Sequence, residues 1–119
     1  MQYLSTRDKT LRLSAAEAIK MGLSRDGGLF TPVHFPTLGS LDLNTLCGLS
    51  YQRRAAYIMG KYVEHFRPEE LNIFAARAYG PDKFDHPDVA PLHRMDGNTW
   101  CLELWHGPTS AFKDMALQM

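Results

Sequence analysis

The chain has 119 residues, with 13 basic and 13 acidic side chains and a hydrophobic fraction of 45%, which is ordinary for a globular protein. The balanced charge argues against a protein that binds nucleic acid or a membrane surface through electrostatics, and Cys47 and Cys101 offer no CxxC spacing for a metal. No basic region precedes an apolar stretch at the N-terminus and no apolar run approaches membrane-spanning length, so we expect a cytoplasmic location.

The first residues predict a short strand followed by a capped helix. Tyr3 to Ser5 favours a strand, and Ser14-Ala15-Ala16-Glu17 has the pattern of a capping box, in which serine and glutamate bond the backbone at a helix start. Gly22 supplies the left-handed residue that commonly ends helices, so this helix should run to about Met21. We expect its inner face to consist of Ala15, Ala18, Ile19 and Met21.

A turn, a strand and a short helix are predicted next. Asp26-Gly27-Gly28 favours a turn because glycine tolerates positive φ, and Leu29-Phe30 enters a short strand that Pro32 limits. Leu41 to Leu46 then favours a short helix that Gly48 ends.

Two longer helices are predicted in the middle of the chain. With Ser50 as N-cap, apolar residues recur at three- and four-residue spacing over Tyr51 to Phe66. Pro68 suits the first position of a second helix, which should run to near Gly80. The residues expected to face a core are Tyr51, Ala55, Ile58, Met59, Tyr62, Phe66, Leu71, Phe74, Ala75 and Ala78.

The last forty residues change in character. Gly80 to Pro87 is dense in turn residues and predicts a linker. Leu92 to Met95 and Thr99 to Leu104 are typical of two strands joined at Asp96-Gly97-Asn98, a hairpin signal.

One lysine then lies where a strand ends and a helix is predicted to start. His106-Gly107-Pro108 breaks the strand, and Lys113 falls in the first turns of the predicted helix, among apolar residues. The helix dipole and the apolar surroundings both disfavour a protonated amine there. Such a lysine suits Schiff-base chemistry with an aldehyde such as pyridoxal phosphate. From spacing and chemistry alone, an ordinary surface lysine remains the simpler interpretation.

The residues around Lys113 resemble a known motif. Residues 103–118, ELWHGPTSAFKDMALQ, are similar to the cofactor-lysine motif of the threonine synthase family, E-L-F/W-H-G-P-T-x-A-F-K-D-x-A-L-Q. Tyr3-Leu4-Ser5-Thr6-Arg7 resembles the family's N-terminal Y-x-S-T-R, although Asp8 stands where a glycine often follows. Residues 26–32, DGGLFTP, resemble its D-G-G-L-F-x-P.

This resemblance implies a reaction. Threonine synthases are lyases that convert O-phospho-L-homoserine and water to L-threonine and phosphate, the last step of threonine biosynthesis. Lys113 would hold pyridoxal 5'-phosphate as a Schiff base and, once freed, would move a proton at the substrate α-carbon. No metal is implied.

The resemblance also suggests roles for neighbouring residues. Phe112 would pack near the cofactor ring, and Asp114 would orient the helix start or a cofactor oxygen, with a simple helix-end charge as the alternative. Thr6 and Arg7 would reach the substrate phosphate, because a guanidinium binds phosphate in a bidentate manner. A structural ion pair is the alternative for Arg7.

The implied fold class is α/β, of the fold-type-II pyridoxal-phosphate kind related to the tryptophan synthase β subunit. We expect an N-terminal domain over residues 1–80, a linker over 81–90 and the start of the cofactor domain over 91–119. The family's later phosphate-binding loop has no counterpart here. The chain is therefore predicted to be a fragment that binds the cofactor poorly, lacks turnover and has apolar surface on which it could self-associate.

Two alternatives remain open at this point. A threonine-synthase-like phospholyase would share the lysine motif and release 2-oxobutyrate instead of threonine. A non-catalytic interaction module would use the helices as a binding face.

Overall fold

Two small antiparallel sheets and five helices alternate along the chain in the computed structural model, which describes all residues from 1 to 119. This mixture agrees with the predicted α/β class. The elements are β1 (Gln2–Ser5), β2 (Arg12–Ser14), α1 (Ala15–Met21), β3 (Phe30–Pro32), α2 (Ser40–Cys47), α3 (Tyr51–Gly60), α4 (Pro68–Ala78), β4 (Leu92–Asp96), β5 (Thr99–Leu102) and α5 (Asp114–Leu117). None of these helices combines the length and the apolar character needed to span a bilayer.

The first sheet has the strand order β2-β1-β3, with both pairs antiparallel. β1 and β3 confirm the predicted strands, and Pro32 lies on an edge strand, where the missing N–H is tolerated. β2 was not predicted, because its three residues are too few to show an alternating pattern.

α1 forms where the capping box predicts it. The Glu17 N–H donates to Ser14 Oγ at 3.3 Å, the Ser14 N–H donates to Glu17 Oε2 at 2.8 Å, and Gly22 ends the helix with φ of +71°. Ala15 and Ala18 are buried as expected. The expectation is wrong for Ile19, which is 65% exposed, and for Met21, because this short helix packs on β1 and β2 through its small residues only.

The main core lies between α3 and α4. Ala56 of α3 meets a stripe of α4 and the residues after it, and the buried cluster consists of Ala56, Leu71, Ala75, Ala78, Tyr79, Phe84 and Val89. Pro68 is the first residue of α4, as predicted. α3 ends at Gly60, not at Phe66, because the chain tightens into turns after that glycine; Val63 and Phe66 still reach the core from those turns.

The segment 81–90, predicted as a linker, is attached to this core. Phe84 is 3% exposed and Val89 is 1% exposed. Val89 has φ of +62°, a strained value for a β-branched residue, and such values persist only where the surroundings hold them. The segment therefore anchors the start of β4 to the α3–α4 core.

β4 and β5 form the predicted hairpin, with an irregularity between Arg94 and Asp96. All five residues of β4 are exposed, and Trp100 of β5 is 55% exposed. The hairpin thus extends from the core with both faces open, and its second strand leads into the segment that carries Lys113.

Candidate functional site: the lysine loop

Residues 106–113 form a series of turns between the hairpin and α5, and we call them the lysine loop. α5 contains only four residues, and Lys113 occupies its N-cap position. The prediction that Lys113 lies within the first turns of a longer helix is therefore wrong. Ser110 has φ of +56°, which no right-handed helix contains, so a helix cannot begin before this residue.

Asp114 closes the lysine loop from inside. It is 1% exposed, and its carboxylate accepts from the Thr109 N–H at 2.8 Å and from Thr109 Oγ1 at 2.9 and 3.0 Å. Burial raises the pKa of Asp114, but hydrogen bonds from the Thr109 backbone and hydroxyl and from the Ala111 N–H outweigh it, so the pKa lies below its usual value. The carboxylate is therefore held as an anion, and its oxygens are already used by the loop.

Gly107 allows the loop to close because it has no side chain at the point where the backbone contacts Asp114. A Cβ at position 107 would lie 2.6 Å from Asp114 Cβ and 2.7 Å from Asp114 Oδ2. On the other side of the loop, Ser110 adopts φ of +56° and its N–H donates to the Gly107 carbonyl at 3.0 Å. The loop therefore has one close-packed arrangement.

Lys113 and Phe112 are both turned outward. Phe112 is 66% exposed and Lys113 is exposed, and Lys113 Nζ has neither a hydrogen-bond nor an ion-pair partner. The expectation that Lys113 is surrounded by apolar side chains is wrong in this structure, because the turns of the loop project it into solvent. The loop thus carries an unpaired primary amine and, at the preceding residue, an exposed aromatic ring. The buried contacts of Asp114 hold this loop in place.

His106 fixes the beginning of the lysine loop. Its Nδ1 lies 2.6 Å from Asp85 Oδ1 and its Nε2 lies 2.7 Å from Glu103 Oε2. Hydrogen bonds to Glu103 and to Asp85 raise the pKa of His106 above its usual value. The sequence predicts for His106 only that it helps to end the preceding strand. The spacing of Glu103 and His106 is visible in the sequence, but the contact of His106 with Asp85, 21 residues away, is not.

Tyr79 fixes the other end. Its hydroxyl donates to the Met115 carbonyl in α5 at 2.8 Å, while its ring belongs to the α3–α4 core. The helix that follows Lys113 is thus tied directly to the main core.

Thr6 and Arg7 lie in a second region, away from the lysine loop, where the chain leaves β1 and contacts the turn at Asp26. We call this region the Arg7 corner. Ser5, which is 0% exposed, donates through Oγ to Asp26 at 2.9 Å, and the Arg7 N–H donates back to Ser5 Oγ at 3.1 Å. Arg7 Nη1 donates to the Asp26 carbonyl at 3.1 Å. The alternative of a structural ion pair is not what forms, because the partner of Arg7 is a backbone oxygen and the rest of its guanidinium is free.

The two groups of predicted residues are not joined in this structure. Phe112, Lys113 and Asp114 share the lysine loop, whereas Thr6 Oγ1 accepts from the Leu29 N–H and Arg7 contacts Asp26. No hydrogen bond or ion pair connects the Arg7 corner with the lysine loop. A single binding site that contained both groups of residues would need additional protein surface between them.

The comparisons with known proteins give one consistent family. The family model described as threonine synthase N terminus matches residues 2–79. The chain is 38% identical over 120 residues to the threonine synthase of Pseudomonas aeruginosa, covering 100% of this chain and 25% of that protein.

Solved structures agree with the sequence match. The crystal structure of PLP-bound threonine synthase from Brucella melitensis superposes with a TM-score of 0.89 at 36% identity, over 98% of this chain and 25% of that one. Threonine synthase from yeast superposes with a TM-score of 0.86 at 39% identity, over 98% of this chain and 24% of that one. The chain thus spans about a quarter of the length of the relatives it matches.

Proposed function

Because this chain belongs to the threonine synthase family, we propose that it supplies the N-terminal domain and the cofactor lysine of an enzyme that makes L-threonine and phosphate from O-phospho-L-homoserine and water. The match over residues 2–79 and the superposition on a PLP-bound relative support this proposal most strongly. We assign residues 1–80 to the N-terminal domain, 81–90 to the linker and 91–119 to the start of the cofactor domain.

The donor set on the lysine loop fits pyridoxal phosphate. An aldehyde needs an accessible amine, and Lys113 Nζ is exposed and unpaired. A planar ring gains from an aromatic neighbour, and Phe112 is 66% exposed next to it. We therefore assign Lys113 as the residue that would hold the cofactor and Phe112 as the residue that would pack on it.

Pyridoxal phosphate, when bound, supplies an electron sink for the substrate α-carbon. Lys113 would take the proton from that carbon and return one later, because an amine released from its bond to the cofactor is a competent base. Asp114 would act by fixing the position of Lys113. Its carboxylate is buried and engaged with Thr109, so it supports the loop and has no exposed oxygen for the cofactor.

Thr6 and Arg7 are proposed to bind the substrate phosphate. The guanidinium of Arg7 makes one hydrogen bond to the Asp26 carbonyl and keeps its other donors free for an anion. The remaining contacts to cofactor and substrate are assigned to the part of the relatives that this chain does not cover.

A chimaeric enzyme tests the proposal. The matching first quarter of the Pseudomonas aeruginosa threonine synthase would be replaced by residues 1–119. With pyridoxal phosphate and O-phospho-L-homoserine, we expect this chimaera to release threonine and phosphate. Borohydride reduction followed by peptide mass spectrometry should place the cofactor on Lys113.

The control is a second exposed lysine. Lys113→Ala should abolish both threonine formation and cofactor attachment, whereas Lys20→Ala, on the exposed face of α1, should leave both intact. A folded chimaera in which Lys113→Ala retains activity, or in which the cofactor is attached elsewhere, would contradict the assignment. Release of 2-oxobutyrate in place of threonine would assign the chain to the phospholyase reaction.

A further inference from the structure

His106 is held by two carboxylates at once. Asp85 Oδ1 lies 2.6 Å from Nδ1, and Glu103 Oε2 lies 2.7 Å from Nε2. A carboxylate can only accept a hydrogen bond, so both ring nitrogens must carry a proton for both bonds to form. With both carboxylates ionised, the two hydrogen bonds form together only when His106 is an imidazolium, because a neutral ring could satisfy only one of the two partners.

These contacts join three parts of the chain. Asp85 belongs to the segment 81–90, next to Phe84 in the core, and its backbone N–H also donates to the His106 carbonyl at 3.1 Å. Glu103 directly follows β5. His106 itself precedes Gly107, whose close contact with Asp114 fixes the residue next to Lys113. A change at His106 can therefore reach Lys113 through packed neighbours.

The groups that face His106 make the imidazolium the favoured form. Asp85 and Glu103 contribute negative charge, and the remaining titratable neighbour is His86, whose ring centroid lies 5.0 Å away. His86 Nδ1 accepts a hydrogen bond from the Asp88 N–H at 3.1 Å, so this nitrogen is occupied by the backbone. Trp105, at 5.6 Å, adds no charge.

We propose that Asp85, His106 and Glu103 form a proton-dependent clamp that positions the lysine loop. When the imidazolium loses a proton, one carboxylate faces a nitrogen lone pair and that hydrogen bond is lost. The ring then keeps one of its two side-chain partners, beside the backbone bond from the Asp85 N–H to the His106 carbonyl. His106 is thus a positioning residue for Lys113. The clamp concerns the loop itself, so it is independent of whether Lys113 holds a cofactor.

The direction with pH follows from the charge. The two carboxylates raise the pKa of His106 above its usual value of about 6.5. The clamp is therefore complete below that value and is lost as the pH rises through the raised pKa. We expect the lysine loop to be ordered below about pH 6.5 and looser once the pH has risen above the pKa of His106.

The test uses the 119-residue chain and two NMR measurements. The first is the titration of the His106 ring nitrogens, which should show two N–H groups at pH 6 and a pKa above the usual value of about 6.5. The second is amide hydrogen exchange at Thr109 and Ser110, corrected for the intrinsic effect of pH. Protection should be constant below the pKa of His106 and should fall as the pH rises through it, because one of the two hydrogen bonds to the ring is then lost.

Variants separate the clamp from a general alkaline effect. His106→Gln should remove the pH dependence of exchange in the loop, and His93→Gln should keep it. Glu103→Gln retains an acceptor but removes the charge, so the pKa of His106 should fall toward its usual value of about 6.5. The proposal is overturned if the pKa of wild-type His106 is at or below the usual value of about 6.5, or if loop protection in the wild type is the same below and above the measured pKa of His106. The wild-type measurements decide the question even if a variant does not fold.

Discussion

Gly107 lies so close to Asp114 that no side chain fits between them. A Cβ at position 107 would come within 2.6 Å of Asp114 Cβ, a separation that real Cβ contacts essentially never show. The neighbouring atoms of Asp114 cannot move away freely, since its carboxylate is bonded to Thr109. The position of Lys113, one residue before Asp114, therefore depends on a glycine six residues earlier in the chain.

Gly107→Ala should destabilise the chain and loosen the lysine loop. Inserting a methyl group into a filled space commonly costs about 1–3 kcal/mol in the free energy of unfolding. Denaturant unfolding measures the loss, and hydrogen exchange at Thr109 localises it. Gly48→Ala is the matched control, since its added Cβ would lie 3.9 Å from the nearest atom, the Thr45 carbonyl. Equal stability of the two variants would argue against close packing at Gly107.

Asp114→Asn should lower stability most at neutral pH. The pKa of Asp114 in the folded chain lies below its usual value of 3.8, so the stabilisation by its carboxylate is present above that value and disappears as the pH falls through the lower folded pKa. The gap in unfolding free energy between wild type and variant should thus be constant from pH 7 to about pH 5 and shrink below about pH 4.

Urea unfolding across this pH range gives the measurement for Asp114. Asp88→Asn is the control, because Asp88 is exposed and its side chain makes no hydrogen bond. If the difference in unfolding free energy between wild type and Asp114→Asn does not change with pH, the charge of the carboxylate does not contribute to stability.

Tyr79→Phe should detach α5 from the core without disturbing the core. The ring keeps its contacts, but the hydroxyl that donates to the Met115 carbonyl at 2.8 Å is lost. A hydrogen bond of this kind contributes about 0.5–1.5 kcal/mol. Stability should fall by that amount, and amide exchange should increase in 114–118. Tyr62→Phe removes a hydroxyl without a hydrogen-bond partner, so it should leave both measurements unchanged.

Local patterns predicted most of the elements because their causes are local. The Ser14 capping box, Pro68 at the start of α4 and the Asp96-Gly97-Asn98 turn each act within a few residues. The sequence does not predict local structure where a contact between residues far apart in the chain determines it. β2 exists because β1 pairs with it, and Val89 adopts positive φ because the core around it holds it there.

The candidate site likewise combines features that the sequence predicts with features that only the structure shows. Residues 103–118 carry a motif that singles out Lys113, and the motif is visible without a structure. The exposure of Lys113, the inward turn of Asp114 and the contact of His106 with Asp85 depend on how the loop packs, which no spacing in the sequence encodes. The sequence therefore singles out the lysine that we propose to be reactive, while the structure shows which contacts hold its loop in position.

Arg7→Ala should weaken the proposed enzyme through its substrate and not through its cofactor. In the chimaera, removal of a charge-assisted hydrogen bond worth about 1.5–3 kcal/mol should lower kcat/KM for O-phospho-L-homoserine by about 10- to 100-fold. Inhibition by inorganic phosphate should weaken in parallel. Attachment of pyridoxal phosphate to Lys113 should be unchanged, because Arg7 contacts Asp26 and has no contact with the lysine loop.

Two further variants make the Arg7 prediction specific. Arg12→Ala, at an exposed position of β2, controls for loss of a positive charge on the same sheet. Arg7→Lys keeps the charge but cannot bind phosphate through two parallel N–H groups, so its activity should lie between wild type and Arg7→Ala. If Arg7→Ala and Arg12→Ala have the same kcat/KM in equally stable chimaeras, the guanidinium of Arg7 only braces the Asp26 turn. The proposal that Arg7 binds the substrate phosphate would then be wrong.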